Sequence, residues 1–160
     1  MEDCFQLRPA TNADAGAIQR VVFGVLREFG LPPDPDGVDA DLADPESSYL
    51  REGGSFDVMT DSAGKVVGTI GLFPLGSGRC ELRKMYLLAR CRGRGLGKRL
   101  LRHALGRARE LGFTRIELET SSVLATAAHL YESFGFRPCE PRHVNARVDR
   151  AYSLDLATQQ

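Results

Sequence analysis

Apolar and polar positions divide the chain into strands first and alternating strands and helices later. Phe5-Gln6-Leu7-Arg8 has the two-residue alternation of a strand, and Pro9 to Asn12 supplies a turn and a helix cap. Ala17, Ile18, Val21, Val22, Val25, Leu26 and Phe29 then recur at helical spacing until Gly30 and Pro32-Pro33 stop them. Leu31 to Gly37, rich in proline and aspartate, reads as a loop and a candidate substrate lid, followed by a weaker helical pattern from Val38 toward Leu50. Phe56 to Thr60 and Val66 to Phe73 read as strands joined by the hairpin turn Asp61-Ser62-Ala63-Gly64. A third strand, Cys80 to Leu88, follows Gly76-Ser77-Gly78.

The clearest helix runs from Gly95 to Leu111. Leu96, Leu100, Leu101, Ala104, Leu105, Ala108 and Leu111 form one apolar face, and Gly112 ends it. Arg115 to Glu119 is a short strand and Leu124 to Phe134 a helix stopped by Gly135. Phe136-Arg137 and Tyr152-Ser153-Leu154 are the last two strands. The element order predicts an α/β fold. With no repeat, low-complexity tract or compositional break, residues 1–160 read as a single domain.

Composition narrows the function classes. No stretch approaches the ~18 apolar residues of a membrane span, and Met1-Glu2-Asp3 is acidic where a signal peptide is basic, so a cytoplasmic protein without a membrane partner is predicted. Cys4, Cys80, Cys91 and Cys139 are scattered, with no CxxC pair and no histidine at metal-ligand spacing. They predict buried or half-buried thiols rather than disulfides, and no metal site. Formal net charge is +0, yet Arg90, Arg92, Arg94, Lys98, Arg99 and Arg102 cluster with no acid among them, which suggests a local anion site. The five aspartates from Asp34 to Asp44 make an opposite, negative lobe that would attract a cationic acceptor or simply be solvated. Zero net charge and the absence of aromatic residues among the arginines argue against nucleic-acid binding.

Arg92-Gly93-Arg94-Gly95-Leu96-Gly97-Lys98 carries the main functional inference. Glycines at alternate positions let backbone N–H groups converge on an anion, and the helix opening near Gly95 adds unpaired donors and the positive end of its dipole. Gly97-Lys98-Arg99 is not the GK[ST] of a Walker loop, and Lys98 stands where a dinucleotide fingerprint needs its third glycine. What is left is an Arg-x-x-Gly-x-Gly loop, which is either a seat for the diphosphate of a nucleotide-like cofactor or a merely structural turn.

From Glu81 to Phe136 the sequence resembles the GNAT superfamily of N-acetyltransferases. The resemblance rests on the strand end Met85-Tyr86-Leu87, the Arg92 to Gly97 loop and Leu130-Tyr131-Glu132-Ser133-Phe134-Gly135-Phe136, with nearly the whole chain matching in element order. It implies a mixed, mostly antiparallel sheet with flanking helices and two central parallel strands splayed to admit acetyl-CoA. The pyrophosphate would sit on Arg92, Gly93, Arg94, Gly95, Leu96, Gly97 and Lys98, and the pantetheine arm along Met85, Tyr86 and Leu87, with Ala127 on the facing helix. Many members carry asparagine seven residues before the motif tyrosine; here that position is Leu124. The segments Cys80 to Tyr86 and Leu118 to Thr120 look most like bacterial enzymes that acetylate free phenylalanine or methionine, which also have leucine there.

Acetyl transfer to an amine needs a base for the ammonium and an acid for the departing thiolate. Tyr131 falls where the family places its acid. Glu81, eleven residues before Arg92, is the first candidate base, though it equally suits an ion pair with Arg83, two positions on and on the same strand face. Glu119 is its rival, while Glu117 reads as a solvated or paired charge. A strand N–H near Met85 or Leu87 would polarise the carbonyl. Arg83, Lys84, Arg142 and Arg147 are all options for an acceptor carboxylate. His143 is either a pocket residue or a solvated loop residue, and His103 and His129 read as surface. Cys91, beside the loop, is the one thiol that would allow a covalent alternative to direct transfer. The expected partner is a small-molecule amine; a protein N-terminus or lysine, or a non-catalytic acyl-CoA sensor, are the rival readings, and the oligomeric state is open, a homodimer included.

Overall fold

The computed structural model describes residues 4–156; Met1 to Asp3, whose acidity bears on the signal-peptide argument, lie outside them. Seven strands form one sheet in the order β1-β2-β3-β4-β5-β7-β6. They are β1 (Gln6–Pro9), β2 (Ser55–Thr60), β3 (Val66–Gly76), β4 (Arg79–Leu87), β5 (Arg115–Thr120), β6 (Arg137–Cys139) and β7 (Arg150–Asp155). All neighbours are antiparallel except β4 and β5. Three helices flank the sheet: α1 (Ala15–Glu28), α2 (Leu96–Glu110) and α3 (Ala125–Ser133).

Helical periodicity becomes packing on two sides. Ile18, Val21, Val22 and Leu26 of α1 bury against Phe56, Val58 and Val66 on one sheet face. Leu100, Leu101, Ala104 and Leu105 of α2 bury with Met59, Val67, Leu82 and Ile116 on the other, joined by Tyr131 of α3. Each such aliphatic side chain removed from water contributes roughly 1.5–3 kcal/mol. Both faces of β2 are covered, so all six of its residues are buried.

Two irregularities in β4 make the cleft. Its parallel pairing with β5 covers only Arg79↔Arg115, Cys80↔Ile116 and Glu81↔Glu117, after which the two strands diverge. Against β3, the register jumps from Gly71↔Arg83 to Thr69↔Tyr86, so one residue of β3 opposes Lys84 and Met85 of β4. Lys84 sits at φ 54, and the Thr69 hydroxyl donates to its carbonyl at 2.6 Å. This bulge resets the alternation. Arg83 stacks over Phe73 and Lys84 reaches Val38 on the α1 side, then Met85 and Leu87 turn to the α2 core while Tyr86 joins the α1 core.

The helix expected from Val38 to Leu50 is absent. A short 3-10 turn, Ala40–Ala43, and a single π turn, Glu46–Leu50, stand in its place. Pro45 lacks an amide hydrogen and disfavours helical backbone at Asp44, which adopts φ −146 and ψ 74. Gly95 lies outside α2 as its N-cap, and β3 continues past Phe73 to Gly76. Cys4 and Cys139 are exposed, contrary to expectation. His103 is not a free surface residue, because its Nε2 lies 3.0 Å from the buried Asp57 carboxylate.

Candidate active site

A cleft of ≈ 1350 Å³ opens where β4 and β5 part. It takes in Glu81 and Met85 to Leu87 of β4, Glu119 of β5, Ala127 and Tyr131 of α3, and Arg92, Gly93, Gly95, Gly97 and Lys98 of the glycine loop. Two expected cofactor residues bring only their backbone to the loop, because their side chains point elsewhere. Leu96 is buried in the α2 core, and the Arg94 guanidinium sits 5.7 Å over the Phe5 ring.

The loop is built by backbone geometry. Gly93 and Gly95 adopt φ 76 and 79, the left-handed region that costs other residues energy. No side chain caps the N-terminus of α2 at Gly95, so the donors of its first turn face the cleft with the positive end of the dipole behind them. Gly97 lies within α2, where a Cβ would approach the Leu130 side chain at 3.4 Å. Arg92, on the cleft lining, also makes structural contacts. Its guanidinium clasps the Glu28 carboxylate, one bond at 2.9 Å, and its Nε donates to the Leu87 carbonyl at 3.1 Å. It ties the loop to α1 and β4, and its charge is already matched. Lys98 is an exposed cation on the cleft wall beside the loop. Open glycine backbone, an uncapped helix start, a cation and the exposed edge of β4 fit a diphosphate ester with an extended arm.

Tyr131 stands on the α2 side of the splay. Its ring packs against Phe136 and Tyr152, with centroids 5.7 and 5.9 Å away, and its hydroxyl reaches the Met85 sulfur at 3.9 Å. Burial, helped by the neighbouring Tyr86 and Tyr152, pushes its phenol well above the ordinary value, so it holds its proton at neutral pH.

The carboxylates stand on the opposite face. Glu81 accepts from Arg83 on one oxygen and from Arg142 at 2.9 Å on the other, so the ion-pair reading is realised and extended. Glu119 accepts from the His143 main-chain N–H at 2.9 Å and from its Nδ1 at 2.8 Å. Burial alone would raise the Glu119 carboxyl, but the His143 bonds outweigh it and hold it below the usual carboxylate range. Glu117 is paired to Arg79 and Arg115.

Past the carboxylates, two distant loops meet. Asp39, whose side chain is fully buried, takes both guanidinium arms of Arg147 at 2.6 and 3.0 Å and the Lys84 ammonium at 2.6 Å. Arg147 also donates to the Pro32 carbonyl at 3.4 Å. Burial disfavours the Asp39 charge, yet the bonds from Arg147, Lys84 and the Asp34 N–H pull its carboxyl below the ordinary value. The acidic run is therefore not simply solvated: Asp39 is the keystone of this wall.

The chain matches the Acetyltransferase (GNAT) family over residues 24–136. It belongs to that family. This GNAT is an acetyl-CoA-dependent N-acetyltransferase, and the seven-stranded, largely antiparallel sheet with one parallel pair is the family architecture. It is 41% identical over 135 residues to Uncharacterized N-acetyltransferase YjgM of Escherichia coli K12, covering 81% of this chain and 80% of that one. It is 32% identical over 133 residues to Uncharacterized N-acetyltransferase C1271.07c of Schizosaccharomyces pombe, covering 82% of each. A GNAT-family acetyltransferase from Staphylococcus aureus Mu50 superposes with a TM-score of 0.89 at 25% identity, over 96% of this chain and 99% of that one.

Among the described residues no cluster of His, Cys, Asp and Glu could hold a metal, and no helix is long and apolar enough to cross a membrane. Cys91 is fully buried in the α2 core and does not line the cleft; burial pushes the Cys80 thiol up to about 12. Sequence reasoning missed the role of Asp39, because its partners lie 45 and 108 residues away and no local pattern announces them.

Proposed function

We propose that this GNAT acetylates the amine of a free amino acid by direct transfer, with both substrates in the cleft at once. The observation that carries this reading is the Arg147 clasp on Asp39 and Pro32, which bridges the Pro32 to Asp39 loop and the Arg142 to Val148 loop. A bridge across the acceptor side favours a closed pocket over the open groove that a peptide or protein lysine needs. Arg142, held to Glu81 through one nitrogen and still partly exposed, has donors left for an acceptor carboxylate. Leu124 and Val123 give the wall an apolar stretch, which suits phenylalanine or methionine.

Acetyl-CoA supplies an acetyl group already activated as a thioester. The chain binds it through residues 92–98, chiefly by backbone donors and Lys98, and through the β4 edge at Met85, Tyr86 and Leu87, with Ala127 opposite. A β4 N–H near Met85 or Leu87 polarises the carbonyl. Tyr131, kept protonated by burial, is the acid for the departing thiolate. Glu81 anchors Arg142 and Arg83, and Glu119 serves the side where the amine must lose a proton. With Cys91 in the core, no thiol stands ready for an acetyl-enzyme. The enzyme works as a single cytoplasmic domain on small molecules, without nucleic acid or membrane.

Thiol release from acetyl-CoA, measured across free amino acids, polyamines and peptides, tests this. Turnover with free amino acids above all others is expected. Turnover confined to peptides would move the acceptor to proteins, and tight acetyl-CoA binding with no release under any amine would make the protein a sensor.

A further inference from the structure

The two carboxylates of the cleft are engaged with other side chains before any amine arrives, and against the pull of burial this lowers the basicity of Glu119. Each oxygen of Glu81 already accepts from an arginine, and each oxygen of Glu119 from a group of His143. The geometry points to His143 as the catalytic base, taking the proton at Nε2, with Glu119 as its positioning residue.

Glu119 holds His143 twice, by the main-chain N–H at 2.9 Å and by ring Nδ1 at 2.8 Å, so one carboxylate fixes both the pivot and the first nitrogen of the ring. An ionised carboxylate only accepts, so Nδ1 carries the hydrogen and the lone pair of the neutral imidazole sits on Nε2. Among the described residues nothing hydrogen-bonds that nitrogen. His143 lines the same cleft as Glu81, Met85 and Tyr131, and its side chain is 69% exposed, so a proton it accepts can pass to water. Charged groups near it are Glu119 of β5 and its neighbour Arg142, itself held on Glu81 of β4.

The sheet separates the two proton tasks. Glu119 pairs with Ala151 and shares the face of Glu81 and Glu117, whereas Tyr131 packs with Tyr152, which pairs with Leu118 on the other face. An amine entering on the first face loses its first proton to His143; the new C–N bond forms, the C–S bond breaks, the thiolate takes the Tyr131 hydroxyl proton, and the second nitrogen proton returns to the Tyr131 oxygen. Of the two protons the nitrogen loses, one leaves through His143 to solvent and the other replaces the proton that Tyr131 gives to sulfur.

This assignment rests on the reading of the protein as an amine acetyltransferase, and the test separates the two. Kinetics use the amine with the highest kcat/KM in the panel above. His143→Gln should lower kcat by ~10²–10⁴-fold with the KM for acetyl-CoA unchanged, and should abolish the acidic limb of kcat/KM. Added imidazole should restore turnover to His143→Gly. Glu119→Gln should reduce kcat less, and imidazole should not rescue it. Full activity in His143→Gln, or survival of its acidic limb, would overturn the assignment. Nitrogen-detected NMR of the histidine rings in the unaltered enzyme needs no acceptor: a neutral Nδ1–H tautomer at His143 is expected, and an Nε2–H tautomer contradicts it. If the unaltered enzyme acetylates no amine, the functional reading fails, whatever the tautomer.

Discussion

The two ends of the cleft are made in opposite ways. The donor end is contiguous: Gly93, Gly95 and the first turn of α2 form it from a few consecutive residues, and their positive φ values and uncapped N–H groups follow from local sequence. The proposed acceptor end joins Asp39, Lys84 and Arg147, drawn from three distant segments and held by buried charge. A loop that binds the same donor in every turnover can be encoded once and locally. A pocket that must fit one acceptor is assembled from separate segments, and Lys84, in the β4 bulge, ties it to the donor edge.

Substitutions can break that contrast. Tyr131→Phe removes the proposed acid between the halves, and kcat should fall by ~10²–10⁴-fold while acetyl-CoA affinity holds; stopped assays of thiol release measure it, and an unchanged rate constant would remove Tyr131 from the chemistry. Asp39→Asn leaves Arg147 against a neutral partner and Lys84 with only the Asp41 carboxylate at 3.6 Å, which should cost about 3–5 kcal/mol in urea unfolding and damage the acceptor KM far more than donor affinity. Because the folded Asp39 carboxyl lies below its unfolded value, its stabilisation is fully present above pH ~4 and drains away as pH falls through the folded value. Asp39→Asn should therefore flatten the acid side of the stability curve.

Effects at the donor end should be smaller and confined there. Gly95→Val forces a β-branched residue into the left-handed region at a cost of roughly 1–3 kcal/mol, seen as a rise in the acetyl-CoA dissociation constant by calorimetry with little change in acceptor KM. Arg92→Ala loses a half-exposed pair with Glu28, so stability should shift by only about 0–1 kcal/mol. A large loss of acetyl-CoA affinity in that variant would restore Arg92 as a direct phosphate ligand.

What sequence reveals follows the same division. The face of α2 and the glycine loop are legible as periodic or contiguous signals, and Tyr131 because its segment resembles the family motif. The bulge at Lys84 is not, since Glu81-Leu82-Arg83-Lys84-Met85-Tyr86 reads as an ordinary strand until its register against β3 is known. Arg92 reads as a phosphate cation because charge is visible in sequence while its partner Glu28, 64 residues away, is not. The segment from Val38 to Leu50 misleads for a local reason: its apolar spacing is helical, but Pro45 breaks it. Glu119 and His143 are each visible as candidates, yet only the fold brings them together.

Initial rates with acetyl-CoA and a free amino acid varied together test the central claim most directly. Direct transfer in one cleft predicts intersecting reciprocal plots and one acetylated amine per thiol released. Parallel plots, or bound acetyl-CoA that yields no amine-dependent thiol, would contradict it.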